Sequence, residues 1–175
     1  MTRPVLIVPG YQGSGPTHWQ TLWEQALPDA RRVVMPDWGH PEPVGWIAAL
    51  AAAVAACAEA PILVGHSLGC IAIVRWALQP TAPIHGALLA APADVDRPGG
   101  LEALRPFGPI PQQRLPFPTI LAASANDVFM THDRAVALAE AWGARRVDLG
   151  EVGHLNVASG HGPWKQGEAL LAELR

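Results

Sequence analysis

The sequence predicts a three-layer α/β/α sandwich, in which a parallel sheet of about six strands lies between two layers of helices. Three observations lead to this prediction. Six short apolar runs have the length of buried strands. Five longer segments with helical periodicity alternate with them along the chain. Most of the strand runs are short and largely apolar, which is typical of a parallel sheet that is buried on both faces.

The predicted elements follow one another along most of the 175 residues. The predicted strands are residues 5–8, 32–35, 62–64, 86–91, 119–123 and 145–149. The predicted helices are residues 19–26, 44–59, 68–78, 132–142 and 164–174. Residues 93–118 are rich in Pro and Arg and predict a long loop with a short helical piece. We expect a single domain over residues 1–175, long enough to bury a sizeable core.

Composition limits the classes of partner. Half of the residues are apolar, 15% are charged and the formal net charge is −3, as in a compact globular protein. Lys165 is the one lysine and the arginines are scattered, so no basic surface for nucleic acid is expected. The longest apolar run, residues 46–58, is too short to cross a membrane. Cys57 and Cys70 lie in apolar, helix-like stretches, and buried thiols suit a reducing cytoplasm.

The strongest motif is GHSLG at residues 65–69, between a predicted strand and a predicted helix. A serine on such a turn is held in a strained conformation with its hydroxyl exposed above the sheet. Glycine suits positions 65 and 69 because a Cβ would clash where the strand and the helix pack closely. The context therefore makes Ser67 the candidate nucleophile.

A serine hydroxyl needs a base to remove its proton, and imidazole suits that role near neutral pH. His154 is the preferred base because it lies in the loop after the last predicted strand. His66 adjoins Ser67 and is interpreted as structural, since we expect it to point across the turn. His18 and His40 follow the first two strands and are weaker candidates for lining a pocket.

The base needs a carboxylate that holds its tautomer and stabilises the imidazolium. Asp127 follows the fifth predicted strand in the segment SANDVF and is the preferred acid. An alternative interpretation is that Asp127 only shapes a turn before a helix. Asp94, after the fourth strand, is the main competing acid, and Asp37 is a weaker one.

Two backbone donors are expected to face the oxyanion of the transition state. The Leu68 N–H, at the start of a helix, is one of them. The glycine-rich loop after the first strand should supply the other, with the Tyr11 N–H preferred and the Gln12 N–H next. Around this site, three side chains are predicted to line the substrate pocket. They are Gln12, Trp38 and Phe129.

Residues 10–17 match a phosphate-binding loop, G-x-x-x-x-G-K-[ST], except that Pro16 stands where the lysine is required. Proline supplies neither the cation nor a backbone N–H, so we reject a nucleotide-binding function. No pair of residues has the spacing of a metal site such as C-x-x-C or H-E-x-x-H. We therefore expect neither a metal nor a cofactor.

With these residues in place, the chain resembles the small α/β-hydrolases of the YdeN-like, retinoblastoma-binding-protein-9-type serine hydrolase family. The resemblance rests on VPGYQGSGPTHWQ, PDW at residues 36–38, GHSLG, SANDVF and GHLN at residues 153–156. It implies a reduced sheet with no cap domain, and a catalytic triad of Ser67, Asp127 and His154. It also implies an esterase or a peptidase-like hydrolase of small substrates. The L-x-C-x-E motif associated with the family's name is not carried over, because position 55 is Ala.

Two classes of function remain at this point. The first is an acyl hydrolase, with residues 93–118 expected to form an apolar pocket wall through Phe107, Ile110, Leu115 and Phe117. Its substrate would be a small molecule with a small or medium acyl group, linked as ester, thioester or amide. A cofactor-free perhydrolase would use the same triad with peroxide in place of water. The second class is a non-catalytic binding module that keeps the fold.

Overall fold

In a computed structural model, which describes residues 3–79 and 82–175, six parallel strands form a single sheet in the order β2-β1-β3-β4-β5-β6. The strands are β1 (Val5–Val8), β2 (Ala30–Arg32), β3 (Ile62–Ser67), β4 (Gly86–Pro92), β5 (Thr119–Ala123) and β6 (Arg145–Asp148). The helices are α1 (Trp19–Ala26), α2 (Pro43–Ala55), α3 (Leu68–Ala77), α4 (His132–Trp142) and α5 (Lys165–Ala172). The predicted parallel α/β fold is confirmed.

The sheet separates two apolar cores, as the alternation of side chains along β1 shows. Leu6 and Val8 enter one core, which also takes up the buried faces of α2, α3 and α4. Val5 and Ile7 enter the other, together with side chains of α1 and α5. Successive residues of a strand point to opposite faces, so a continuously apolar strand serves both cores. The two helical layers that the sequence predicts are therefore present.

Several predicted boundaries differ from the structure, and the second strand, the third strand and the second helix differ by three residues or more at one end. The third strand runs to Ser67 instead of residue 64. The sequence predicts the second strand at residues 32–35, but β2 ends at Arg32 although Val33 and Met35 are buried. Those two side chains enter the core beyond the ladder, while Val34 between them is 76% exposed. The second helix ends at Ala55 instead of residue 59. There the N–H of Cys57 bonds the Val54 carbonyl, a tighter turn that closes the helix.

The segment after β4 contains the expected short helical piece, a 3₁₀ helix over Glu102–Phe107. Asp96, before this helix, accepts the N–H of Ile110, after it, at 3.0 Å, and its carboxylate also pairs with Arg134 of α4 at 2.9 Å. The segment packs onto the core, and the described residues contain no inserted cap domain. Among the same residues, no helix combines the length and hydropathy that a membrane crossing requires.

Candidate active site

The sharp turn at GHSLG joins the end of β3 directly to the start of α3. Ser67 has φ 55° and ψ −123°, in a region that residues with a Cβ rarely adopt. Backbone strain of this kind costs on the order of 1–3 kcal/mol and is found mostly at functional sites. The pairing of β3 with β4 also shifts register between His66 and Ser67. The turn thus lifts the Ser67 hydroxyl out of the sheet.

Glycines make this turn sterically feasible. A Cβ on Gly69 would collide with the carbonyl oxygen of Val8, and one on Gly65 would lie 3.0 Å from the backbone nitrogen of Cys70. The first contact is too short for any real Cβ, and the second is at the lower limit of the distances that real Cβ atoms show. The close packing that the sequence predicts at positions 65 and 69 is therefore present.

The structure brings Ser67, His154 and Asp127 together in one hydrogen-bonded row. The Nε2 of His154 lies 2.9 Å from the Ser67 Oγ, and its Nδ1 lies 2.9 and 2.8 Å from the two carboxylate oxygens of Asp127. A carboxylate only accepts hydrogen bonds, so Nδ1 carries the proton of neutral His154. Nε2 is then free to accept the Ser67 hydroxyl proton. The Asp127 side chain is 2% exposed, which shields this pair from solvent.

The two competing carboxylates, Asp94 and Asp37, bind other groups. Asp94 lies 3.6 Å from Arg134 and accepts the backbone N–H of Asp96. Asp37 is half exposed and caps the following turn by accepting the N–H groups of Gly39 and His40. Among the described residues, neither carboxylate contacts an imidazole of the site. Asp127 is the carboxylate that lies against His154.

Backbone donors lie beside Ser67 on two elements. The Leu68 N–H is at the first position of α3, where helical N–H groups have no partner in the helix. The Tyr11 N–H has no backbone acceptor among the described residues, whereas the Gln12 N–H donates to the Trp38 carbonyl at 2.9 Å. The Gln12 N–H therefore already has a hydrogen-bond acceptor. Of the three N–H groups considered as oxyanion donors, those of Leu68 and Tyr11 have no backbone acceptor among the described residues.

A cavity of about 510 Å³ opens over the serine. It has an apolar wall, formed by Leu101, Leu104 and Phe129, and a polar wall that includes Gln12 and Asn156. None of the described residues that line it is Asp, Glu, Lys or Arg. The cavity therefore suits an uncharged substrate with one apolar and one hydrogen-bonding end.

Several predictions about the pocket lining need correction. Gln12 and Phe129 line the cavity, but Trp38 does not, because its ring packs beside Gly13 and against Trp46. His40 is likewise absent from the lining, with a side chain that is 92% exposed. The four side chains expected as the wall are instead part of or packed against the core. They are Phe107, Ile110, Leu115 and Phe117.

Two further histidines line the cavity and are buried. Burial and the nearby Arg32 guanidinium lower the pKa of His18 to about 4. Burial also holds the pKa of His66 well below 6.5. Both rings are therefore neutral near neutral pH and add no charge to the site. His66 does not point away across the turn as expected, because it lines the same cavity as Ser67 and its ring lies 4.9 Å from that of His154. Its Nε2 donates to the carbonyl oxygen of His154 at 2.8 Å, a contact that fits a structural role.

Asn126 lies beside Asp127 in the segment SANDVF, and the sequence analysis assigns it no role in the site. Its side-chain oxygen accepts the Gly153 N–H at 2.7 Å and the Ser124 hydroxyl at 2.9 Å. It therefore ties the loop that carries Asp127 to the loop that carries His154. Its place in SANDVF beside the acid is the available signal, but an amide next to an aspartate is also common in simple turns.

Comparison with known proteins agrees with this geometry. The family model for serine hydrolases matches residues 5–173. The chain belongs to the serine hydrolase family. This serine hydrolase is 35% identical in sequence to a YdeN-like hydrolase from Pectobacterium atrosepticum, and the two structures align with a TM-score of 0.89. The alignment covers 99% of this chain and 90% of that one. The resemblance to YdeN-like serine hydrolases is thus confirmed. No curated protein matches the sequence.

More distant structures share the fold of this serine hydrolase. The ydeN gene product of Bacillus subtilis is 24% identical and has a TM-score of 0.79. The alignment covers 99% of this chain and 98% of that protein's chain. The esterase domain of a Rhodothermus marinus protein is 19% identical, with 98% and 87% covered and a TM-score of 0.71. At these identities the likeness concerns the fold alone.

Proposed function

We propose that the protein is an acyl hydrolase that works through an acyl-enzyme on Ser67. The observation that carries the proposal is the hydrogen-bonded row from Ser67 through His154 to Asp127, with the Leu68 and Tyr11 N–H groups beside it. Nucleophile, base, orienting acid and oxyanion donors are the parts that acyl transfer needs. Membership of the serine hydrolase family supports the same class of reaction.

The reaction proceeds in two halves. His154 takes the Ser67 proton as the oxygen attacks the substrate carbonyl, and the negative charge on the carbonyl oxygen is stabilised by the N–H groups of Leu68 and Tyr11. The imidazolium then protonates the leaving group, which departs and leaves the acyl group on Ser67. In the second half water attacks the acyl carbon while His154 takes one of its protons, and the bond to the Ser67 oxygen then breaks, which releases the carboxylic acid as the imidazolium returns its proton to Ser67. Asp127 accepts the hydrogen bond from the Nδ1–H of His154 throughout.

The proposed substrate is an uncharged carboxylic ester or thioester with a small or medium apolar group. Leu101, Leu104 and Phe129 would contact that group. Phe129 also lies with its ring 4.5 Å from the ring of His154, so the apolar wall begins beside the reacting atoms. Because none of the described residues that line the cavity is Asp, Glu, Lys or Arg, they offer no cation to compensate the desolvation of a carboxylate on the substrate.

Labelling with a fluorophosphonate tests the proposed function. We expect one adduct per chain by intact mass, located on Ser67, and no adduct on Ser67→Ala. Ser14→Ala is the matched control, since Ser14 is another of the four serines, lies in the loop after β1 and donates to Gln20 of α1. It should label at the rate of the wild type. A folded wild-type protein that gains no adduct and hydrolyses no activated ester would favour the non-catalytic binding module.

A further inference from the structure

The backbone beside His154 is strained and buried. Leu155 has φ 50°, and its side chain is fully buried. A bulky residue with positive φ is rare, and such a conformation persists only when its surroundings hold it in place. Something outside the loop must therefore stabilise residues 154 and 155 in this conformation.

Two buried side chains supply that support from distant elements. His66, at the end of β3, donates from Nε2 to the His154 carbonyl at 2.8 Å. Trp19, at the start of α1, donates from Nε1 to the Leu155 carbonyl at 2.8 Å. The donors thus hold two successive carbonyl groups of the strained loop. Hydrogen bonds that are buried on both sides are costly to leave unmade, which makes them effective constraints.

The chemistry of His66 suits a permanent donor. A carbonyl oxygen only accepts, so the Nε2 of His66 carries the proton and the ring is held in one tautomer. Its depressed pKa keeps the ring neutral. This matters because the rings of His66 and His154 are 4.9 Å apart, and a second cation there would oppose the imidazolium that forms during acyl transfer.

We propose that His66 and Trp19 are positioning residues that set the place of the His154 imidazole relative to the Ser67 hydroxyl. The proposal rests on the proposed function. His66 also directly precedes Ser67 in the chain, so one residue links the backbones of both partners in the 2.9 Å hydrogen bond from His154 to Ser67. Neither side chain is assigned a chemical step, since each acts on His154 through the backbone.

The test at Trp19 uses its neighbour Trp23 as a matched control. Both indoles are buried in the same core, but among the described residues the Trp23 Nε1 makes no hydrogen bond. Trp19→Phe and Trp23→Phe each remove one indole N–H and a similar volume. Misplacing a catalytic group by about 1 Å costs roughly 10²-fold in rate. We expect Trp19→Phe to lower kcat by roughly 10-fold or more with little change in KM, and Trp23→Phe to leave kcat near that of the wild type.

The test at His66 uses rescue by a conservative variant. His66→Leu removes the donor and should lower kcat by roughly 10²-fold with KM kept. His66→Gln retains an amide N–H that can reach the same carbonyl, and it should recover most of the lost kcat. Amide hydrogen exchange of Leu155, Asn156 and Val157 should be faster in His66→Leu and in Trp19→Phe than in the wild type or in Trp23→Phe.

Two outcomes would overturn the proposal. One is an equal loss of kcat in Trp19→Phe and Trp23→Phe, or losses that follow the melting temperature alone. The other is unchanged exchange at residues 155–157 in both donor variants. If instead the wild type reacts with no fluorophosphonate, the proposed function fails, while the exchange comparison still decides whether the two donors hold the loop.

Discussion

Gly10 and Ser67 lie so close together that the site has no room for a side chain at position 10. A Cβ on Gly10 would lie 2.8 Å from the Ser67 Cβ and 3.2 Å from the Leu68 nitrogen. This contact sets the backbone of the loop after β1 against the start of α3. The two donors that we propose for the oxyanion, the Tyr11 and Leu68 N–H groups, would therefore depend on one glycine contact between elements that are far apart in the sequence.

Gly10→Ala should lower kcat/KM by roughly 10²-fold because the added methyl forces the β1 loop away from Ser67 and separates the two donors. Steady-state kinetics with an activated ester measure this effect. Gly15→Ala is the control, since a Cβ there would meet no atom within 4 Å. Equal activity of the two variants would contradict the assigned role of the loop.

Asp127→Asn should lower kcat by roughly 10³- to 10⁴-fold, because an amide can leave His154 in the wrong tautomer. Asp94→Asn should change kcat little, since Asp94 contacts Arg134 and Arg134 keeps its second partner, Asp96. Both variants should remain folded by circular dichroism. The reverse order of the two losses in kcat would assign the acid to Asp94.

Leu101→Ala should weaken the preference for longer acyl groups. The Leu101 side chain lies in the apolar wall and is 46% exposed, so contact with a substrate would bury it further. If the substitution removes about 1 kcal/mol of the free energy gained by burying the acyl chain, the hexanoate-to-acetate ratio of kcat/KM for p-nitrophenyl esters should fall roughly fivefold. Val44→Ala, at an exposed position that does not line the cavity, should keep the wild-type ratio. An unchanged ratio in Leu101→Ala would place the acyl group elsewhere.

Acid should destabilise the protein partly through His18. Its pKa is about 4 in the folded chain, against 6.5 for an exposed imidazole, so between these pH values the unfolded chain binds more protons. The stabilisation from neutral His18 is fully present above pH 6.5 and is lost as the pH falls through 4. The total loss in the free energy of unfolding is about 3 kcal/mol. His66 acts in the same direction, through the same cause of burial.

His18→Asn isolates this effect because Asn can replace His18 as the cap of α1, where Nδ1 accepts the Gln20 N–H at 3.2 Å. We expect the free energy of unfolding, measured with urea at pH 7 and pH 4, to fall less in His18→Asn than in the wild type. His85→Asn, at an exposed position, should show the full wild-type loss. Equal losses in all three proteins would remove His18 as a source of acid sensitivity.

The sequence predicts the fold well where one local signal decides an element. The bounds of β1, α1, β5 and α4 agree with the predicted ranges, because each is a compact apolar run or has a clear cap such as Thr131 before α4. The predicted range of β2 is displaced because Val33 and Met35 alternate like a strand, yet their burial comes from packing beyond the ladder. A periodic pattern reports burial and does not report which neighbour supplies the hydrogen bonds.

The sequence predicts which polar residues meet at the candidate site, but it does not predict which apolar residues line its cavity. Ser67 ends β3, Asp127 and His154 follow β5 and β6, and the carboxyl ends of parallel strands meet at one edge of the sheet. The apolar wall depends on how residues 93–118 fold back, and that path is set by tertiary contacts such as Asp96 with Arg134. Phe107 therefore enters the core and Leu101 reaches the cavity, against the expectation.

The row of Ser67, Asp127 and His154 has a kinetic consequence. Its hydrogen bonds join residues that are 27 and 87 positions apart, and the intervening chain includes β4, β5 and β6. Contacts of such long separation form late, because each closes a large loop before it gains any stability. During refolding, fluorophosphonate reactivity should therefore return after helical circular dichroism, so the serine reports the completion of the sheet and not the collapse of the chain.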